Sequence, residues 1–387
     1  MNLARNRFLI CIAAGSLIVL SPLTPWLRSA LSSTHWETRT SEGFDALCAL
    51  NLLSGDTYYL EQYPQEALAF AAPRYAGARL AARRLKAAIK DEEGGIISAF
   101  LTLIFSGGPD SSLDSVLASA RAPDKLYMSF RASAFWSEES WTLFRRVLPD
   151  VIISLDAMRQ AGFHEDWRSL MGKGGSARAA ALRAELARYD VLGEQARLVG
   201  HELQRGRIEV ILLHYSRPHG IRIQGSRFLT NIGYPASIVL RNAAHEPLHP
   251  PYDAANPRLV DAVGEFARDS LVVRVVRGHN PSLGYTTVTG YVEEDAVQAL
   301  EQVVSERMGL AVPARKRWQE GDDGMHLLAA AIYHLILETR FSETGGRFET
   351  WFIDAVAAGH LNPAEVERRA RAVVGDAAVD RWRLSER

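Results

Sequence analysis

The sequence predicts an α+β chain that is predominantly helical and carries one small sheet. Three observations support this. From residue 35 to about 205, apolar residues recur mostly at helical intervals between glycines and turn residues. At Gly206 the texture changes, and IEVILLHY (208–215) is an apolar, β-branched run of strand character. Beyond Asp253, helical periodicity returns and persists to the C-terminus.

The elements follow in order. EGFDALCALNLLSG (42–55) spaces Phe44, Leu47, Cys48 and Leu52 along a helix and stops on Gly55. RYAGARLAARRLKAAIK (74–90) is alanine-rich and amphipathic, and GGIISAFLTLIFSGG (94–108) is an apolar run between glycine pairs, the pattern of a buried helix. SEESWTLFRRVLPDVIISLDAMRQAG (137–162) opens on Ser137 and Glu139 and closes on Gly162, and residues 176–204 suggest two further helices. IRIQGSRFLT (221–230) reads as the hairpin partner of IEVILLHY. YPASIVLRNAAHEPLH (234–249) reads as a helix with Pro235 early in it, where proline is tolerated, and Pro250-Pro251 ends it. PRLVDAVGEFARD (257–269) is a further helix, SLVVRVVRG (270–278) is ambiguous, and residues 278–290 form a loop rich in glycine and threonine. YVEEDAVQALEQVVSERMG (291–309) is a strong helical pattern ending on Gly309, and three more helices close the chain near 324–341, 347–358 and 363–374. These readings divide the chain into a helical domain over 34–205 and a strand-plus-helix domain over 206–387.

Residues 1–33 stand apart. MNLARNR is basic, FLICIAAGSLIVL is uncharged, and Pro22 and Pro25 follow. A basic start and an apolar core shorter than a membrane span mark a signal peptide, with an uncleaved membrane anchor as the alternative. The expected location is exported, either periplasmic or secreted. Cleavage near Ser32 would leave Cys48 as the single cysteine, so no internal disulfide could form. A net charge of −1 gives no electrostatic case for nucleic acid, and membrane contact is expected only through an uncleaved N-terminus.

The chemistry concentrates in NAAHEPLHPPYD (242–253). Histidines four apart on a helix share one face, so His245 and His249 can chelate one ion. Zinc takes such ligands in a tetrahedron, and a catalytic zinc keeps one position open for water. Glu246, beside the first histidine, is placed to take a proton from that water and pass it on. Pro247 opposes this geometry, because it lacks an N–H and its ring crowds the carbonyl of Ala243. The bland alternative is a partly exposed histidine pair at a frayed helix end. His201-Glu202-Leu203-Gln204-Arg205 begins alike but puts arginine at the second ligand position.

A third ligand is sought in Glu293-Glu294-Asp295-Ala296-Val297-Gln298-Ala299-Leu300-Glu301. With the HEPLH pentad, this stretch resembles the gluzincin branch of the zincin metallopeptidases, in which a glutamate on a later helix completes the site. Glu294 and Glu301 keep the seven-residue spacing of that family's second motif, with Glu293 in place of its asparagine. The 45 residues from His249 to Glu294 exceed the family's interval, and an insertion would account for them. Helical spacing from Glu293 runs along the apolar row Val297, Leu300, Val304 and Met308, so packing favours Glu293, whereas the motif favours Glu294. Both could instead be acids favoured by the dipole of a first helical turn. The resemblance covers 234–309 and implies a zincin-like catalytic region, a Zn2+ cofactor held by His245, His249 and Glu294 (or Glu293), and hydrolysis of peptide or protein substrates with Glu246 as base.

Tyr285, Tyr291 and His279 are candidate oxyanion donors, and Asp253 and Asp261 candidate orienters of a ligand histidine. Two other readings stay open: a non-catalytic helical binding module of the cell envelope, and a zincin-like protein that binds zinc without turnover.

Overall fold

A computed structural model gives the architecture and describes residues 34–203, 206–280, 283 and 285–384. The expected signal or anchor over 1–33, including Cys11, lies outside them. The fold is a predominantly helical α+β arrangement around one small four-stranded sheet. No helix among the described residues is long and apolar enough to cross a membrane. Cys48 is buried and free.

The strands are β1 (His35–Thr40), β2 (Arg207–Leu213), β3 (Ile221–Ile223) and β4 (Arg227–Asn231), in spatial order β1-β2-β4-β3. β1, β2 and β4 are parallel, and β3 is an antiparallel edge. Two expectations are corrected. Residues 35–40, read within the helical half, form a strand. HWETRT has no apolar alternation because only Trp36 of this edge strand is fully buried. The hairpin partner also differs. Residues 221–231 make a hairpin of their own about Gly225, whose φ of +77° suits glycine. Its second strand then pairs parallel with β2.

The sheet draws strands from both sides of position 205 and separates two cores. β2 is buried on both faces, as a central parallel strand is. Ile208, Val210 and Leu212 face one core, which holds Leu182, Leu198 and most of the C-terminal helices. Ile211 and Leu213 face the other, built by residues 44–163. The period of two thus sorts the strand between the layers.

Helix α1 (Glu42–Leu53) is buried along its whole length and is capped by Ser41, whose Oγ accepts from the Phe44 N–H at 3.1 Å. Asp45 of α1 holds the end of β2. Its carboxylate accepts from the N–H groups of His214 (2.9 Å) and Tyr215 (2.8 Å) and from Trp167 Nε1 (2.8 Å). Burial pushes this carboxyl up to about 6 although those donors favour its charged form. The anchored loop 214–220 leads to His219 and Gly220 beside the site. Helix α2 (Glu138–Gln160) begins on the Ser137 cap expected from sequence.

Helix α3 (Ala236–His245) follows β4 directly, and α4 (Val288–Arg307) packs against it. α4 begins three residues before the apolar pattern does, on a Thr287 cap whose Oγ1 accepts from the Gly290 N–H at 3.1 Å. Glu293, Glu294 and Asp295 therefore lie inside the helix, not in its first turn. Residues 270–278 are helical, and α5 (Leu327–Glu338) crosses α4.

Candidate metal centre and its cleft

Pro247 has the effect its chemistry dictates. Helix α3 stops at His245, residues 246–248 tighten into a 3-10 turn, and His249 is extended with ψ of 121°. The two histidines therefore do not share one α-helical face, which corrects the sequence geometry. Their rings converge nonetheless, with Nε2 atoms 2.9 Å apart.

Glu294 of α4 completes the cluster. Its Oε2 lies 3.6 Å from His245 Nε2 and 3.4 Å from His249 Nε2. These are the ligand atoms of a group able to hold a metal ion among the described residues. Ligand atoms about 2.1 Å from a tetrahedral zinc lie roughly 3.4 Å from one another. The triangle of 2.9, 3.4 and 3.6 Å has that scale. The carboxylate is also pre-oriented. Its Oε1 accepts from Gln298 Nε2 at 2.8 Å, while Oε2 is buried without a hydrogen-bond donor.

The roles of the two glutamates divide. Glu294 is only 2% exposed. Glu293 is half-buried and holds the other ring nitrogen, with Oε1 3.1 Å from His249 Nδ1. A carboxylate there fixes the ring and makes it a better ligand. A helix with a single buried apolar face would turn Glu293 inward. In α4 the row Glu294, Gln298, Glu301, Ser305 is buried as well as the apolar row.

The other candidates separate. Tyr285 lines the same cleft as Glu246 and Glu294. Burial and the Glu294 carboxylate raise its phenol well above the usual range, so it stays protonated and able to donate. Tyr291 is fully buried and donates to the Met325 carbonyl at 2.7 Å. His279 is buried, with Nδ1 2.9 Å from the Val275 carbonyl. Asp253 accepts from the Ala255 N–H at 2.9 Å, and Asp261 is exposed, so neither orients a histidine of the cluster.

The cleft measures about 260 Å³. Glu246 reaches its wall, where a Cβ on Gly220 would stand 2.9 Å from Glu246 Oε1 and from Asn242 Nδ2, so glycine leaves the carboxylate room. His219, next to Gly220, also lines the cleft, with Nε2 2.9 Å from the Tyr59 hydroxyl. Burial lowers its pKa to about 4, so the ring is neutral at pH 7. Sequence reading missed His219 and Arg241, both of which line the cleft. For Arg241 the signal was present, since it lies one helical turn before His245.

Burial works against charge on Glu294, but the imidazoles of His245, His249 and His326 outweigh it and hold the carboxyl well below the ordinary range. Burial also pulls His249 down, and the carboxylates of Glu293 and Glu294 outweigh it, raising the ring to about 9. A folded-state pKa above 6.5 gives stability that is full below pH 6.5 and lost as pH rises through about 9. The metal-free protein is expected to be less stable, and so to melt at lower temperature, at pH 9.5 than at pH 6.5, this group lowering the unfolding free energy by at most about 1.4 kcal/mol per pH unit. Thermal unfolding in chelator checks this, and a His249→Gln variant with an equally large loss would remove His249 as the cause.

Comparison with protein-family models, with curated proteins and with solved structures returns no match.

Proposed function

We propose that this chain is a zinc-dependent hydrolase of the cell exterior, acting on peptides through a gluzincin-like centre. The observation that supports it is the buried, donor-free Oε2 of Glu294 facing two imidazole nitrogens at distances suited to one tetrahedral ion. Two histidines and a glutamate leave a fourth position for water, the donor set of a catalytic rather than a closed structural zinc. A cleft of about 260 Å³ beside the cluster gives a substrate access.

Bound zinc would supply Lewis acidity, lowering the pKa of a coordinated water toward neutrality. Glu246 takes the proton from the attacking water and returns it to the departing amine. Tyr285, a protonated phenol lining the same cleft, would donate a hydrogen bond to the carbonyl oxygen as negative charge develops there. Glu293 holds the His249 ring in register.

The deciding measurement is elemental analysis of the purified full chain. About one zinc per chain is expected in the parent, and none in a His245→Ala/His249→Ala double variant. No zinc in the parent after incubation with excess metal would sink the proposal and favour the non-catalytic binding module.

A further inference from the structure

Arg241 is a charge that the hydrolytic machinery does not use. It lies on α3 four residues before His245, about 6 Å away along the helix axis. It lines the cleft that contains His245, Glu246 and Glu294. It also lines an adjoining cleft of about 470 Å³ with Lys316, Arg317 and His326, and so stands at the border of the two. Its side chain is half-buried and, among the described residues, has neither a hydrogen bond nor an ion pair.

Apart from Glu246, the neighbouring charges inside the two clefts are already committed. Arg317 pairs with Glu301 and donates to the side-chain oxygens of Gln298 and Gln302. Asp322 pairs with His326 at 3.2 Å. Glu294 is held by Gln298 and the two imidazoles. Of the remaining groups on the outer wall, Lys316 and Glu320 are exposed and of opposite charge. Arg241 thus remains a half-buried cation without a direct ion-pair partner among the described residues, in a cleft whose other uncommitted charge is the carboxylate of Glu246, the base of the proposed reaction. A guanidinium in that setting is a bidentate receptor for a carboxylate.

We infer that Arg241 receives a carboxylate of the substrate, so that the cleft selects peptides bearing a free carboxylate close to the bond presented to the His245–His249–Glu294 cluster. The inference rests on the zinc-hydrolase reading and adds the substrate class to it. Two sources share this chemistry, the C-terminal carboxylate of a peptide and the side chain of an acidic residue.

The test is calorimetric titration of the zinc-loaded full chain with two zinc-seeking probes, acetohydroxamate and succinate monohydroxamate. The second probe adds a carboxylate two methylenes from the zinc-seeking group. It should bind about tenfold tighter or more. The preference should vanish in Arg241→Gln and persist in part in Arg241→Lys, with thermal melting confirming that both variants fold. Equal affinity of the parent for both probes overturns the carboxylate subsite while leaving the metal centre standing. A chain that takes up no zinc overturns both.

Competition against succinate monohydroxamate then separates the sources. An alanine tetrapeptide with a free C-terminus, its C-terminal amide, and an amide carrying one glutamate are compared. Displacement by the free acid assigns the C-terminus, and displacement by the glutamate-bearing amide assigns an acidic side chain. Displacement by neither overturns the inference.

Discussion

Replacing Asp295 with alanine is expected to destabilise the fold by about 3–5 kcal/mol, the usual cost of removing one member of a buried ion pair. Asp295 is fully buried on α4, and its Oδ1 stands 2.6 Å from Nδ1 of His326, itself only 2% exposed. Its Oδ2 accepts from the Ala329 N–H at 2.9 Å, one of the N–H groups that the start of α5 leaves without a helical partner. One carboxylate thus caps α5 from another helix and balances a buried imidazolium. Burial pulls His326 down, but Asp295 and Asp322 outweigh it and raise the ring to about 10, so it is charged at pH 7. Alanine would leave that charge with Asp322 as its one direct partner, at 3.2 Å and half in solvent, helped only by the more distant Glu294 carboxylate. The measurement is chemical denaturation of the metal-free protein, which keeps zinc linkage out of the comparison. An Asp295→Ala/His326→Leu double variant should recover much of the loss, because replacing both partners strands no charge. A loss below about 1 kcal/mol in the single variant would show that the pair contributes nothing net.

Asp295 also illustrates what the sequence made legible. Its stretch was readable as acids in a first helical turn because the apolar pattern begins near Tyr291. The Thr287 cap places the start of α4 earlier and turns these residues into interior ones. Elements whose own burial sets their pattern were readable: β2 from its β-branched run, α1 from its spacing and α2 from its Ser137 cap. The His-Glu-x-x-His pentad was readable because it needs only local spacing. What escaped depended on distant partners. The strand identity of 35–40 comes from pairing with β2 across more than 160 residues, through polar residues whose backbones supply the ladder. The inward turn of Glu294 depends on α4 being covered on nearly every side, which an amphipathic count cannot see. The end of α3 at His245 was implicit in Pro247, but the convergence of the two rings after that break is a tertiary result.

Glu246→Gln is expected to lower peptide hydrolysis by about 10² to 10⁴-fold while zinc content stays at the parental level. Glutamine keeps the size of the side chain and its fit against Gly220, so the wall of the cleft is preserved. It removes the basic oxygen that would accept a proton. Zinc should be retained because the ion's ligands would be His245, His249 and Glu294, and Glu246 is not among the atoms that converge. His249→Ala should behave differently, losing zinc and hydrolysis together. The contrast separates base from ligand, which a single inactive variant cannot do. Digestion of a peptide library by parent and variant, each with zinc measured on the same preparation, is the check. Unchanged turnover in Glu246→Gln would remove Glu246 from the mechanism and leave the neutral His219, which lines the same cleft, as the next group to replace. A parent that holds zinc and cleaves no peptide would instead favour zinc binding without turnover, with the donor triangle intact and its open position unused.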